Sequence, residues 1–573
     1  MLDSLIRAGT VIDGTGQAAR QADIGIRDGR IVSIGKTDEA AKQVIEADGL
    51  MVTPGFVDPH THYDAQLFWD PYANPSNVHG VTSVIGGNCG FTLAPLEARD
   101  ADYLRRMMAQ VEGMPLEALE TGLPWNWRTF GDYLDRLDGN IGVNAAFLVG
   151  HSAIRRTVMG ADAVGEKATP AQVEQMVKVL HESLAAGGLG FSTSLSFTHM
   201  DGDGKAVPSR WSDRAAEVMP LVRAVRDHEG TTLELITDGC INQFTDEEVK
   251  LMTQMSVEAQ RPLNWNVLQI DARDRARFEH QLDASRRAAA EGGRVVALTM
   301  PIIVGQTMSF LTYCALQLIP GWKEILRLPV PERIAALRSP EKRTWMMAQA
   351  DLPETGMLKR LTVWEHYTIG DTFSPANAGL KGRKLGDIAR ERGQTPTDCL
   401  FDIVIADELR TILWPTSGDG SDETWALRAE AWNNEHILIG GSDAGAHLDR
   451  MCGSCYPTQF IGDCLRGRRL ISVERAVQLM TQAPAKLFGL RERGEIRVGN
   501  HADIVLFDPL RIDAGPVHRV DDLPGGTWRL TSDALGVERV LVNGRSTVVG
   551  NKTTGELAGR LMRSGRDTYT VRP

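Results

Sequence analysis

Short apolar runs recur through the middle of the chain, each followed by a longer stretch with helical character. They fall at residues 55–58, 81–86, 145–149, 188–192, 231–236, 262–268, 294–299 and 436–442. Strands alternating with helical stretches predict a parallel sheet with crossover helices, and eight strands is the number that closes a barrel. The intervening helices carry their own punctuation. Thr169-Pro170 offers an N-cap followed by a proline at the first helical position, and Gly187-Gly188 ends that helix. Ser212 is expected to open another helix, closing at Gly230. The long stretch between the last two runs reads as an inserted helical subdomain, about residues 301–435.

Both chain ends have strand character instead. Ile24 and Ile26 alternate with polar or small residues, Asp28-Gly29 follows, and the apolar run resumes from Ile31 to Ile34. The far end repeats this with Val540, Leu541 and Val542, then Asn543-Gly544, then Thr547 to Val549, and residues 502–507 add another strand. A DG or NG pair between apolar runs predicts a hairpin. Each end alone has too few strands for a stable sheet, so both ends are expected to pair as one small antiparallel β-sandwich. The expected fold class is α/β: a (β/α)8 TIM barrel over residues 55–485, with a β-sandwich built from residues 1–54 and 486–573.

Composition narrows the function. A chain of 573 residues with 42% hydrophobic and 24% charged residues can bury a large core without covalent staples. A net charge of -12 argues against a nucleic-acid partner. No apolar run reaches the length of a membrane span, and the N-terminus lacks the pattern of a secretory signal. The seven cysteines are odd in number and sparse, which suits reduced thiols in the cytoplasm. Cys452 and Cys455 form a CxxC with no second pair at knuckle spacing, and read as thiols packed under a loop. A small-molecule substrate is the expected partner, and a homo-oligomer is compatible with such a chain.

In a barrel of this kind the active site lies at the C-terminal ends of the strands. The first run ends in Pro59-His60-Thr61-His62. Alternate residues of an extended segment point the same way, so both imidazoles can reach one metal ion. The second run ends at Asn88-Cys89-Gly90, where a thiolate could ligate or a buried thiol could simply pack. The third ends at His151, and the fourth is followed by Ser192-Thr193-Ser194 and His199. Each histidine is a candidate for binding substrate or for a hydrogen-bonded structural role. The eighth run ends in Asp443, a carboxylate placed to ligate a metal and to accept a proton from water, with His447 and Arg450 close behind. Arg450 could hold a substrate carboxylate or lie on the surface.

These residues, in this order, resemble the amidohydrolase superfamily, and within it the D-aminoacylase (N-acyl-D-amino-acid deacylase) family. The matching segments are TPGFVDPHTHYDAQ, GGNCGFTLAP, LVGHSAIR and GGSDAGAH, with the C-terminal stretch MTQAPAKLFGLRERGEIRVGNHADIVLFDP. The resemblance implies a TIM barrel with a split β-sandwich, and implies that Cys89 is a metal ligand. It also exposes a departure. The family has a histidine after strand five and another after strand six. Here the fifth run reads TTLELITDG, with Glu234, and the sixth PLNWNVLQID, with Asn264 and Asn266. The family's lysine for the amino-acid carboxylate is missing as well. The expectation is therefore one zinc or other divalent ion per chain, or two if Glu234 ligates, held by His60, His62, Asp443 and Cys89. Asp443 would act as general base and acid, with His151, His199, His447 and Arg450 on the substrate side. Three functions compete: an amide hydrolase of the D-aminoacylase type, a hydrolase of a cyclic amide, lactone or other ester, and a non-enzymatic barrel scaffold.

Overall fold

The apolar runs of the middle of the chain become short parallel strands in the computed structural model, which describes residues 1–312, 314–416 and 418–573. A three-stranded sheet joins Phe56–Asp58, Val81–Gly86 and Asn144–Phe147. The third run breaks at Leu148 and resumes as Val149–Gly150, which opens a six-stranded parallel sheet. That sheet continues through Gly190–Ser194, Thr232–Ile236, Leu263–Trp265, Val295–Thr299 and Ile437–Ile439. A parallel bridge between Thr61 and Ala444 links the segments that follow the first and last of these strands. This is a TIM-barrel-like α/β fold. The register places Ser192, Glu234 and Asn264 side by side across neighbouring strands. Val57, Ile85, Leu148, Leu298 and Leu438 share one buried cluster. Each such side chain contributes roughly 1.5–3 kcal/mol by leaving water.

The connecting helices start where short polar side chains can satisfy the free amides of a first turn. Thr169 caps Pro170–Ala185 and closes a reciprocal capping box with Gln172. The expected cap at Ser212 is corrected by one residue. Asp213 accepts from the amides of Ala215 and Ala216, and a π-turn at Arg214–Val218 runs into the helix Met219–Arg226.

The two chain ends do share a sheet, but not the expected antiparallel one. Nine strands form one mixed sheet, in which Leu2–Val11 pairs antiparallel with Arg20–Arg27 and parallel with both Ala41–Glu46 and Met51–Pro54. The ends meet where Met51–Pro54 pairs with Ile504–Phe507. Both hairpins form at the DG and NG pairs. Two further two-stranded ribbons involve Asp513–Ala514 with Ala534–Leu535 and His518–Leu523 with Thr527–Thr531.

A second compact unit comprises Ile303–Gly418 and Asp449–Met451. It is narrower than the expected insertion, because the helix Asp422–Ala431 belongs to the first unit. Its core gathers Leu316, Trp322, Leu337, Trp364, Leu385 and Phe401 from short helices. All seven cysteines are buried and unpaired. No helix among the described residues is long and apolar enough to cross a membrane.

Candidate metal centre

His60 and His62 leave the first strand with their Nε2 atoms directed at Asp443. Asp443 Oδ1 lies 3.5 Å from His60 Nε2 and 3.1 Å from His62 Nε2. Cys89 Sγ lies 3.6 Å from His60 Nε2. One ligand atom each from His60, His62 and Cys89 falls within a 4.8 Å span. Atoms that share an ion at 2.0–2.3 Å in a tetrahedral shell stand about 3.3–3.6 Å apart. The donor set fits a divalent cation, with the His60–Asp443 and His60–Cys89 spacings in that range and the His62–Asp443 spacing shorter.

The backbone is bent to achieve this. Cys89 and Asp443 both adopt left-handed conformations, with φ of 55° and 59°. Such conformations cost roughly 1–2 kcal/mol for a non-glycine residue, so the surrounding structure must hold them. Gly445 (φ 90°) packs so tightly that a Cβ would lie 2.5 Å from the His62 carbonyl oxygen. The loop after the last strand is thereby pressed against the loop after the first.

Exposure separates the members. The His60 and His62 side chains are 2% and 1% exposed, whereas those of Asp443 and His447 are 29% and 27% exposed. Asp443 is thus the member of this set most open to solvent. His447 Nε2 lies 3.6 Å from Asp443 Oδ2.

Glu234 and the asparagines stand where the resemblance led us to look for histidines. Glu234 Oε2 accepts from the Cys89 amide at 2.8 Å, and Asn266 Nδ2 lies 3.6 Å from Cys89 Sγ. Glu234 Oε1 and both polar atoms of Asn264 are buried without a hydrogen-bond partner among the described residues. A further carboxylate is one that sequence reasoning missed. Glu112 Oε2 lies 3.5 Å from His62 Nε2. The signal for it was faint: Glu112 sits four residues beyond Met108, on the buried stripe of the helix Ala101–Val111.

The site is net negative, and the proton affinities reflect it. Burial opposes the charge on His62, but Glu112, Asp443 and Asp64 raise its pKa to about 10. Burial lowers His60, partly offset by Asp443. Burial raises Cys89, aided by Glu234, Glu112 and Asp443, and burial lifts Glu234 to about 8. Asp443 is held well below the carboxylate range because His60, His62 and His447 outweigh its burial. A dication held there would reverse the directions at His62 and Cys89, since each would have to shed a proton to ligate.

The histidines expected on the substrate side divide. His199 is anchored by Nδ1, 2.7 Å from Ser194 Oγ, and its ring packs on Phe91. Burial, with the charges of His447 and His62, lowers its pKa to about 3, so it is neutral and near the cluster. His151 does not join. Its Nδ1 lies 2.8 Å from Thr193 Oγ1 and its Nε2 2.8 Å from Glu217 Oε1, with the ring fully buried. Both nitrogens have partners inside the protein, the hydrogen-bonded arrangement that was the other expectation for this histidine. Arg450 belongs to the second unit, where its Nε lies 3.1 Å from Asp449 Oδ1. Cys452 and Cys455 lie outside the cluster, with Cys455 Sγ directed at the Cys452 carbonyl.

The model of the amidohydrolase family matches residues 43–548. The chain belongs to the amidohydrolase family. An N-acyl-D-aspartate deacylase of Alcaligenes xylosoxydans xylosoxydans is 30% identical over 568 residues, covering 98% of this chain and 95% of that protein. A D-aminoacylase of the same organism is 28% identical, covering 98% and 97%. A solved D-aminoacylase structure, described as having a binuclear metal centre, is 25% identical with a TM-score of 0.64, covering 98% of this chain and all of that one. At these identities this amidohydrolase is a divergent member of the D-aminoacylase group.

Proposed function

We propose that this amidohydrolase cleaves the C–N bond of an N-acyl-D-amino acid or a related N-acyl amine, using a divalent metal. The observation that carries the reading is the convergence of two buried imidazoles, a thiol and one solvent-reaching carboxylate, with edges of 3.1–3.6 Å. The names of the relatives supply the substrate class. Imidazole, thiolate and carboxylate together suit zinc. His60, His62 and Asp443 would hold the ion, with Cys89 and Glu234. Such an ion polarises a carbonyl and lowers the pKa of water from 15.7 toward about 7.

The chain's own part follows from exposure and charge. Asp443 takes the proton of the attacking water as the C–O bond forms. It then returns that proton to the amine as the C–N bond breaks. His199 and His447 stand beside it to orient the acyl group. The Thr61–Ala444 bridge supports reading the two parallel sheets as one closed (β/α)8 barrel over residues 55–485, with residues 1–54 and 486–573 forming the accessory β-domain.

A second reading has its own support. Glu234, and Asn264 or Asn266, stand where the resemblance leads one to seek two histidines, and the lysine is missing, so a cyclic amide or lactone is the alternative substrate. A panel of N-acyl-D- and N-acyl-L-amino acids, cyclic amides and lactones separates the two. Asp443→Asn tests the mechanism: kcat should fall by about 10²–10⁴ while much of the metal stays bound. Near-wild-type turnover in that variant would overturn the role of Asp443.

A further inference from the structure

We propose that Glu112 is a ligand of the metal centre, supplying from outside the strand ends a donor that the histidine-poor fifth and sixth strands do not. The proposal rests on reading the His60–His62–Cys89–Asp443 cluster as a metal site.

The first argument is distance. Glu112 Oε2 stands 3.5 Å from His62 Nε2, the same nitrogen that Asp443 Oδ1 approaches at 3.1 Å. An N–H···O bond has its heavy atoms about 2.7–3.2 Å apart, so 3.5 Å is long for one. It matches the edge between two donors on one ion, about 3.3–3.6 Å. The His60–Asp443 and His60–Cys89 separations, 3.5 and 3.6 Å, fall in the same range.

The second argument is energetic. Glu112 is the C-cap of the helix Ala101–Val111, and it is buried. The C-terminal end of a helix carries the negative end of its dipole, so an anion there is disfavoured. Burial disfavours it again. A carboxylate kept in such a place needs positive charge opposite. One group it approaches is His62, whose Nε2 lone pair is wanted for ligation. A shared cation satisfies both.

The third argument is anchoring. The Glu112 amide donates to Met108 O at 2.9 Å, and the Glu112 carbonyl accepts from the amide of His447. The same short segment therefore fixes Glu112 against the loop that carries Asp443. Gly113, with φ of 60°, turns the chain immediately afterwards, and Met114 is buried behind it. Glu112 is thus held at both peptide groups, as a ligand on an excursion between strands must be. The excursion, residues 87–143, lies between the second and third strands.

The test uses the full chain, wild type and Glu112→Gln, loaded with Zn2+ or Co2+ alone. Glutamine keeps the volume and one oxygen but removes the charge. Metal content is measured after equilibrium dialysis against graded competing chelator. The Co2+ absorption spectrum is recorded in parallel. The affinity of Glu112→Gln should fall at least about tenfold. Its ligand-field bands should change in intensity, while the thiolate-to-cobalt band from Cys89 persists. Equal affinity with an identical spectrum would overturn the proposal. A wild type that binds neither ion would sink the metal-centre reading itself, and that outcome is seen before any variant is made. Should Glu112→Gln not fold, anomalous diffraction from metal-loaded wild-type crystals decides. A Glu112 oxygen within about 2.2 Å of the ion supports the assignment, and an ion coordinated without Glu112 refutes it.

Discussion

Replacing Glu217 by glutamine tests whether the His151 cluster is scaffold or machinery. Glu217 lies between two buried donors. Its Oε1 is 2.8 Å from His151 Nε2, and its Oε2 pairs with the Arg155 guanidinium. Arg155 and His151 are 0% exposed and Glu217 is 1% exposed, so no solvent screens the pair. Burial holds His151 below the usual imidazole range despite Glu217. The ring is then neutral, with Nε2 donating to Glu217 and Nδ1 accepting from Thr193. Glu217→Gln keeps the volume and removes the charge paired with Arg155. Breaking a buried ion pair from one side costs about 3–5 kcal/mol. Arg155 keeps its bond to the Glu166 carbonyl at 2.9 Å, which places the loss at the lower end, about 3 kcal/mol. That is a large share of an ordinary stability of about 5–15 kcal/mol. The assay is the urea midpoint, with kcat and KM measured on folded protein. His151→Ala is the companion, since it leaves Thr193 Oγ1 and Glu217 Oε1 short of a partner, at about 1–3 kcal/mol each. Both variants should lose stability with KM little changed. A His151→Ala variant with an unmoved midpoint and a tenfold higher KM would refute the reasoning and return His151 to the substrate.

Two further outcomes follow from buried groups elsewhere. His79 is buried, with Nδ1 2.7 Å from Thr458 Oγ1 and Nε2 3.0 Å from the Ser532 carbonyl, and burial lowers its pKa to about 4. The unfolded chain takes up this proton near pH 6.5, so stability from His79 is full above that pH. It falls as pH drops toward 4, by about 3 kcal/mol in all, and levels off below. Urea midpoints of wild type and His79→Gln between pH 7 and 4 check this, and identical slopes would count against it. Gly445→Ala should weaken cation binding and destabilise by at least about 1–2 kcal/mol, because it combines a left-handed backbone with a Cβ 2.5 Å from the His62 carbonyl. Unchanged metal affinity would show that the loop has room.

The parallel strands were legible because each is a short, mostly apolar segment followed by a helical stretch, and the strand-end rule then pointed to His60, His62, Cys89 and Asp443 as candidates. The terminal sheet was legible only in part. Alternation tells which face of a strand is buried, but not the direction of its neighbour, so the parallel pairing of Leu2–Val11 with Ala41–Glu46 was invisible. Likewise, a cap shifts by one residue when two adjacent polar residues both suit it, as Ser212 and Asp213 do.

The strand-end rule also selected His151, whose surroundings differ from those of His60 and His62. A histidine at the end of a barrel strand is free for chemistry only if the protein does not use both its nitrogens. Glu217 comes from a different crossover, 66 residues along the chain, and Thr193 from the next strand. No local pattern around His151 reveals either. At His60 and His62 the reverse holds. Their Nδ1 atoms have no hydrogen-bond partner among the described residues, and their Nε2 atoms crowd carboxylate oxygens, His62 Nε2 lying 3.1 Å from Asp443 and 3.5 Å from Glu112, and His60 Nε2 3.5 Å from Asp443. Glu112 completes that contrast while escaping the rule altogether, because it reaches the centre from a helix end. What distinguishes His60 and His62 from His151 is therefore a surplus of negative charge around Nδ1 atoms that lack a hydrogen-bond partner among the described residues. That property belongs to the assembled neighbourhood, and it is the property a cation would satisfy.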